Sequence, residues 1–126
     1  MRGSRKVRRN IGVAVIAAGL LAGVAVTVMP ASAAVRNPGK LLICVTADIE
    51  GAAGILPQRN SMALGAVKGG TCNTFTLHGS GNERVDMLEL VGGVPRYIQP
   101  MTYNGDTGTA LQVERQDGRV IVTEVR

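Results

Sequence analysis

The chain has no tryptophan, one phenylalanine and two tyrosines in 126 residues. With only Phe75, Tyr97 and Tyr103 as aromatics, it lacks the flat stacking faces of a sugar-binding platform. It has one histidine, His78, in the stretch LHGSGN. Ser80 follows two residues later, but a hydrolytic triad assembles nucleophile, base and acid from separate segments. HGSG is also not the strand-to-helix elbow of G-x-S-x-G. Gly-Ser-Gly-Asn is turn chemistry, and a turn is the expectation.

An excess of charge is also missing. The whole chain carries 14 basic and 9 acidic residues, a formal +5. Five of the basic residues (Arg2, Arg5, Lys6, Arg8 and Arg9) lie at the extreme N-terminus, leaving nine of each sign in the remainder. Nucleic-acid binding needs clustered Lys and Arg to displace counterions from phosphate. The remainder shows no such cluster, so nucleic acid is excluded as a partner.

The carboxylates form no obvious catalytic pair. Asp86 and Glu89 are three apart on an expected strand and point to opposite faces. Glu114 and Glu124 belong to an expected hairpin with basic or polar neighbours. In NGDTG, residues 104–108, Asn104, Asp106 and Thr107 offer oxygens. Calcium wants six to eight, several of them carboxylates, and this stretch has one. A hairpin turn is expected there. The sequence supplies no catalytic residues, no metal ligands and no cofactor site.

What is present begins with the leader. The basic n-region is followed by the uncharged apolar run from Ile11 to Met29, then Pro30 and Ala31-Ser32-Ala33. This is the pattern of a secretory signal peptide (residues 1–33), with cleavage expected between Ala33 and Ala34. Left uncleaved, the run would be an anchor with the same topology, the sequence's one route to a membrane. The bias to Ala, Gly and Val, and to Arg over Lys, fits a GC-rich bacterial genome.

Removing 33 residues leaves 93, a single domain (34–126, with a loose lead-in at 34–40) whose core alone is marginal. An oxidising compartment favours a disulfide. Cys44 and Cys72 allow one intramolecular pairing, worth roughly 3–4 kcal/mol in the chain-entropy account; an intermolecular bridge is the alternative.

Six strands are expected, in the stretches KLLICVTAD, TCNTFTLH, RVDMLELV, YIQPMTY, TALQVER and RVIVTEV. Leu41, Ile43 and Val45 share one face of the first; Cys44 and Cys72 fall on the less apolar faces of theirs. The alternation slips between Met87 and Leu88, which points to a β-bulge or to burial on both faces. Pro100 places its strand at an edge or a bulge. The last two strands form a hairpin around Asp117-Gly118. A two-residue turn would pair Val113 with Val122. A four-residue loop would pair Leu111 with Val122, Val113 with Val120 and Glu114 with Arg119, and is chemically better matched. A three-residue loop with a bulge at Gly118 is a third register. The expected fold is all-β: a small sandwich or partly open barrel of about six mostly antiparallel strands, one disulfide and one short helix.

That helix falls in the segment 51–70 between the cysteines, with Ser61 capping Met62 to Lys68 and Gly69-Gly70 ending it. The segment's Ile55, Leu56, Met62, Leu64 and Val67 are either a lid over the disulfide or an exposed recognition loop. In the second case Leu56, Pro57, Arg59 and Met62 form a disulfide-anchored convex loop of the kind used by small secreted protease inhibitors, pre-organised for binding. The expected function is non-enzymatic binding of an extracellular protein partner by this loop or by the sheet edge near Pro100. The alternative is a surface-associated structural protein that self-associates, favoured by its neutral, Gly-rich, β-rich composition.

The export reading has a direct check. The intact mass of the protein recovered from culture medium should equal Ala34 to Arg126 less two hydrogens. A mass that includes residues 1–33 would overturn it.

Overall fold

Leu41, Ile43 and Val45 alternate along β1 (Lys40–Val45), and all three are fully buried on one face. The structure is a computed structural model describing residues 36–126. The expected signal peptide and its expected cleavage point between Ala33 and Ala34 lie outside the described residues. The other strands are β2 (Gly51–Leu56), β3 (Met62–Ala63), β4 (Val67–Lys68), β5 (Cys72–Thr76), β6 (Asn82–Val91), β7 (Val94–Asn104), β8 (Thr109–Gln116) and β9 (Arg119–Glu124). They form an all-β sandwich. One sheet has the order β5-β1-β8-β9; the other has β3-β2-β6-β7, with β4 also on β2. All pairings are antiparallel except β1 with β8. A parallel pair needs a crossover, and here the entire second sheet is built within it.

The shared core lies between the sheets. Leu41, Ile43, Val45, Leu111, Val113 and Val122 of the first meet Ala52, Leu56, Val85 and Met87 of the second. Each fully buried aliphatic side chain contributes about 1.5–3 kcal/mol. A thin core of this kind leaves the disulfide a large part in stability. Cys44 and Cys72 are direct cross-strand partners of β1 and β5 and are bonded to each other. The bridge sits on the outer face, opposite Leu41, Ile43 and Val45.

All six expected strands form, and the inter-cysteine segment adds β2, β3 and β4. The segment is therefore neither a helix nor a lid over the disulfide. Ser61 has φ 55 and does not cap a helix; Met62 and Ala63 pair with β2 instead. Among the described residues the one helical turn is a 3-10 turn at Pro57–Arg59. Leu56, Leu64 and Val67 enter the core on the inner side of the first sheet. Glycine allows this closeness: a Cβ on Gly54 would stand 3.1 Å from Leu64 Cδ1 and 3.2 Å from Val85 Cγ1.

The slip between Met87 and Leu88 is a register shift against β7. Met87 pairs with Gln99 and Leu88 with Tyr97, so the extra residue is Ile98, on β7. Pro100 lies on an edge strand, as its missing N–H requires. Gly92-Gly93 makes a two-residue turn, with φ 59 and 79, joining β6 to β7. The Glu50 carboxylate accepts both of its N–H groups, at 2.7 and 2.9 Å.

One expected turn is corrected, and the register of another is decided among the three expected. The segment at 104–108 is not a hairpin: it carries the chain from β7 in one sheet to β8 in the other. The β8–β9 hairpin pairs Val113 with Val122 and Gln116 with Arg119. Its turn is Asp117-Gly118, with φ 52 and 78. The four-residue register loses because two positive-φ residues match the right-handed strand twist, and a Glu114–Arg119 pair is worth only about 0.2–1 kcal/mol.

A Cβ on Gly69 would land on the Ile49 carbonyl oxygen, whereas nothing lies within 4 Å of one on Gly65. Gly69→Ala should lower the melting temperature by roughly 10 °C or more, from a loss of about 2 kcal/mol or more. Gly65→Ala should leave it within a few degrees. Thermal denaturation of the two variants checks this, and equal shifts would contradict the close approach.

Candidate functional site

The sandwich has two ends, and the sequence treats them differently. One end is sealed by Arg59. Its Nε donates to Glu83 Oε2 at 2.8 Å and its Nη2 to Glu83 Oε1 at 2.7 Å. Nη1 donates to the Leu77 carbonyl at 2.7 Å and Nη2 reaches the His78 carbonyl at 3.4 Å. The buried Tyr103 hydroxyl donates to the same His78 carbonyl at 2.9 Å. Hydrogen bonding to Glu83 raises the pKa of the Arg59 guanidinium, which stays charged. Beside it, the Gln58 side-chain oxygen accepts the N–H of Arg84.

This places the four residues of the expected recognition loop. Leu56 is in the core. All three guanidinium nitrogens of Arg59 are engaged internally. Pro57 and Met62 are exposed, Met62 at 38%. The four therefore do not share one accessible surface.

The other singled-out polar groups have structural partners. Asn104 Oδ1 accepts the N–H groups of Asp106 and Thr107, and Asp106 accepts the Gly81 N–H. Asp86 pairs with Arg84 at 2.7 Å, and this hydrogen bond raises the Arg84 pKa. Glu114 accepts from Gln112, and Glu124 pairs with Arg126. His78 sits in the loop after β5 with φ 58. Among the described residues, no three His, Cys, Asp or Glu are grouped to hold a metal, and no helix is long and apolar enough to cross a membrane.

The opposite end is open. On β8 the inward series Leu111, Val113 continues to Arg115; on β6 the series Val85, Met87 continues to Glu89. Both stripes change from apolar to charged at the same end of the interlayer. There the β6–β7 ribbon and the β8–β9 hairpin frame a cleft of about 600 Å³. Glu89 and Arg96, partners across β6 and β7, lie on one wall with Tyr97. Arg115 and Arg119 lie on the other. Ile98 and Val120, packed against the core, supply the apolar base. Arg115 is held loosely by Asp48 at 3.5 Å. Arg96 and Arg119 make no ion pair or side-chain hydrogen bond among the described residues. Tyr97 is 56% exposed beside them.

Sequence spacing gave no sign of this cluster. Its members come from two hairpins in different sheets, and each arginine in isolation reads as an ordinary solvated strand residue. The available signal was the break in each apolar alternation after Val113 and Met87, which also reads as a strand approaching its turn.

At the sealed end, burial pushes the Tyr103 phenol above its ordinary pKa of 10.0. The fold thus favours the neutral phenol. Its contribution is complete below pH 10 and is lost as pH rises through the elevated pKa. Tyr103→Phe should lose about 1 kcal/mol at neutral pH, the net value of one hydrogen bond. The gap between the two proteins, measured by denaturant titration, should then narrow above pH 10. A constant gap through the alkaline range would contradict the linkage.

No protein-family model, curated protein or solved structure matches this chain.

Proposed function

We propose that this is a non-enzymatic recognition protein exported from a bacterial cell, and that it engages its partner with the open end of the sandwich. The observation that carries this reading is the pair Arg96 and Arg119. They are two guanidiniums that line one open cleft and make no ion pair or side-chain hydrogen bond among the described residues, and a solvent-exposed tyrosine lines the same cleft. Arginine and tyrosine are the residues most often found as binding anchors. A rigid β scaffold holds the two hairpins that carry them, which limits the entropy lost on docking. The cross-strand disulfide and the basic leader support export to an oxidising compartment. The cleft borders β7, the edge strand that contains Pro100. The inter-cysteine loop is a weaker candidate, because its Leu56 and Arg59 are committed to the fold.

A photoreactive phenylalanine analogue placed at Tyr97, and separately at Pro57, tests the site. Irradiation in native culture fluid should give a discrete heterologous adduct from position 97 and none from position 57. An adduct from 57 alone would return recognition to the inter-cysteine loop. An adduct between two copies of the chain would favour the self-associating structural role.

A further inference from the structure

The cleft's chemistry allows its occupant to be narrowed, on the footing that the open end is the recognition site. We infer that it binds an extended acidic segment of a partner protein, with carboxylates on Arg96 and Arg119 and an N–H donor on Glu89. The guanidinium is a planar fork that matches a carboxylate with two parallel hydrogen bonds. Arg96 and Arg119 offer two such forks, one on each wall. Arg115 adds a third cation whose ion pair with Asp48, at 3.5 Å, is partly exposed and worth little.

The domain has no net charge to account for this concentration. Acidic residues elsewhere are bonded to arginines, to backbone N–H groups or to Gln112; around the cleft, Arg96 and Arg119 have no ion pair or side-chain hydrogen bond among the described residues. The nearby acidic groups are Asp48, Asp117 in the β8–β9 turn, Glu50, whose carboxylate is taken up by the N–H groups of the Gly92-Gly93 turn, and Glu89 within the cleft.

Glu89 decides between classes of anion. It lies on the wall with Arg96 but makes no ion pair with it. A uniform polyanion such as a polyphosphate would be repelled by it. A peptide offers a backbone N–H or a basic side chain between its carboxylates, and so matches an alternation of positive and negative groups. Ile98 and Val120 at the base suit an apolar side chain of the same segment. Arg96 and Arg119 also stand on β7 and β9, the edge strands of the two sheets on this side. Inward or exposed charges on edge strands can serve only to prevent edge-to-edge pairing, and the test separates that role.

The oxidised protein is titrated with a short labelled peptide of glutamate, serine and valine, with its lysine-substituted counterpart, and with a linear polyphosphate. The acidic peptide should bind, and the lysine peptide should not. Arg96→Gln and Arg119→Gln should each weaken binding about tenfold, the value of one charge-assisted hydrogen bond, with unchanged melting temperature. Affinity should fall as salt is raised. Glu89→Gln should strengthen polyphosphate binding and weaken the peptide's. Polyphosphate binding more tightly than the peptide to the unaltered protein would overturn the peptide assignment. So would peptide binding unaffected by either arginine substitution. Variants that merely aggregate while keeping full peptide affinity would make the arginines edge guards. Failure of the peptide with a persisting adduct at position 97 would overturn the ligand class alone; loss of that adduct would overturn the site as well.

Discussion

The bidentate pair of Arg59 and Glu83 joins segments that share no sequence neighbourhood. Arg59 comes from the connection between β2 and β3, and Glu83 from the start of β6. The carbonyls of Leu77 and His78 leave the first sheet, and Tyr103 closes the group from β7. A sandwich with so small a core must stop water from entering between its layers. This cluster does so at one end by pairing Arg59 with Glu83 and with the Leu77 and His78 carbonyls, and by giving the buried Tyr103 hydroxyl an acceptor, as a low-dielectric interior requires. With that end fixed, the opposite end is free to open into a charged cleft.

The segment between the cysteines belongs to the scaffold. Its glycines and alanines have low strand propensity, yet they form β2, where Gly54 leaves room for Leu64, Val85 and Met87 to close over it. Its polar middle supplies Arg59 to the sealed end. Its two ends are tied to the first sheet through the disulfide and through hydrogen bonds such as Gly70 to Val45 and Val45 to Thr71. The disulfide fixes β5 against β1 on the outer face while the apolar layer does so from within.

Function, as proposed, is concentrated where the packing ends. Both inner-face stripes run out of apolar residues at the same end, and the side chains that follow are Arg115 and Glu89. Glu50 holds the Gly92-Gly93 turn by its two N–H groups, so the ribbon that carries Glu89, Arg96 and Tyr97 has a defined tip. The Asp117-Gly118 turn does the same for the ribbon that carries Arg115 and Arg119. Two rigid hairpin tips from different sheets thus set the width of the cleft.

Alternation along single strands was enough to give the all-β class, the buried face of β1 and a break in pattern at Met87 and Leu88, while Pro100 narrowed its strand to an edge or a bulge. These follow from the two-residue period and from the missing proline N–H, which are local facts. The pairing of Cys44 with Cys72 follows from having only two cysteines, once an intramolecular bridge is assumed. Strand β2 was not legible, because a Gly-Ala run forms a strand only when a neighbouring layer demands it. The crossing at 104–108 was not legible either, since an Asn-Gly turn has the same sequence whether it returns to its own sheet or passes to the other. Arg59 as a fastener, and the placement of Arg96 and Arg119 on one cleft, were decided by the tertiary structure alone. A guanidinium's role depends on whether a carboxylate lies within reach, and across two sheets sequence distance carries no information about that.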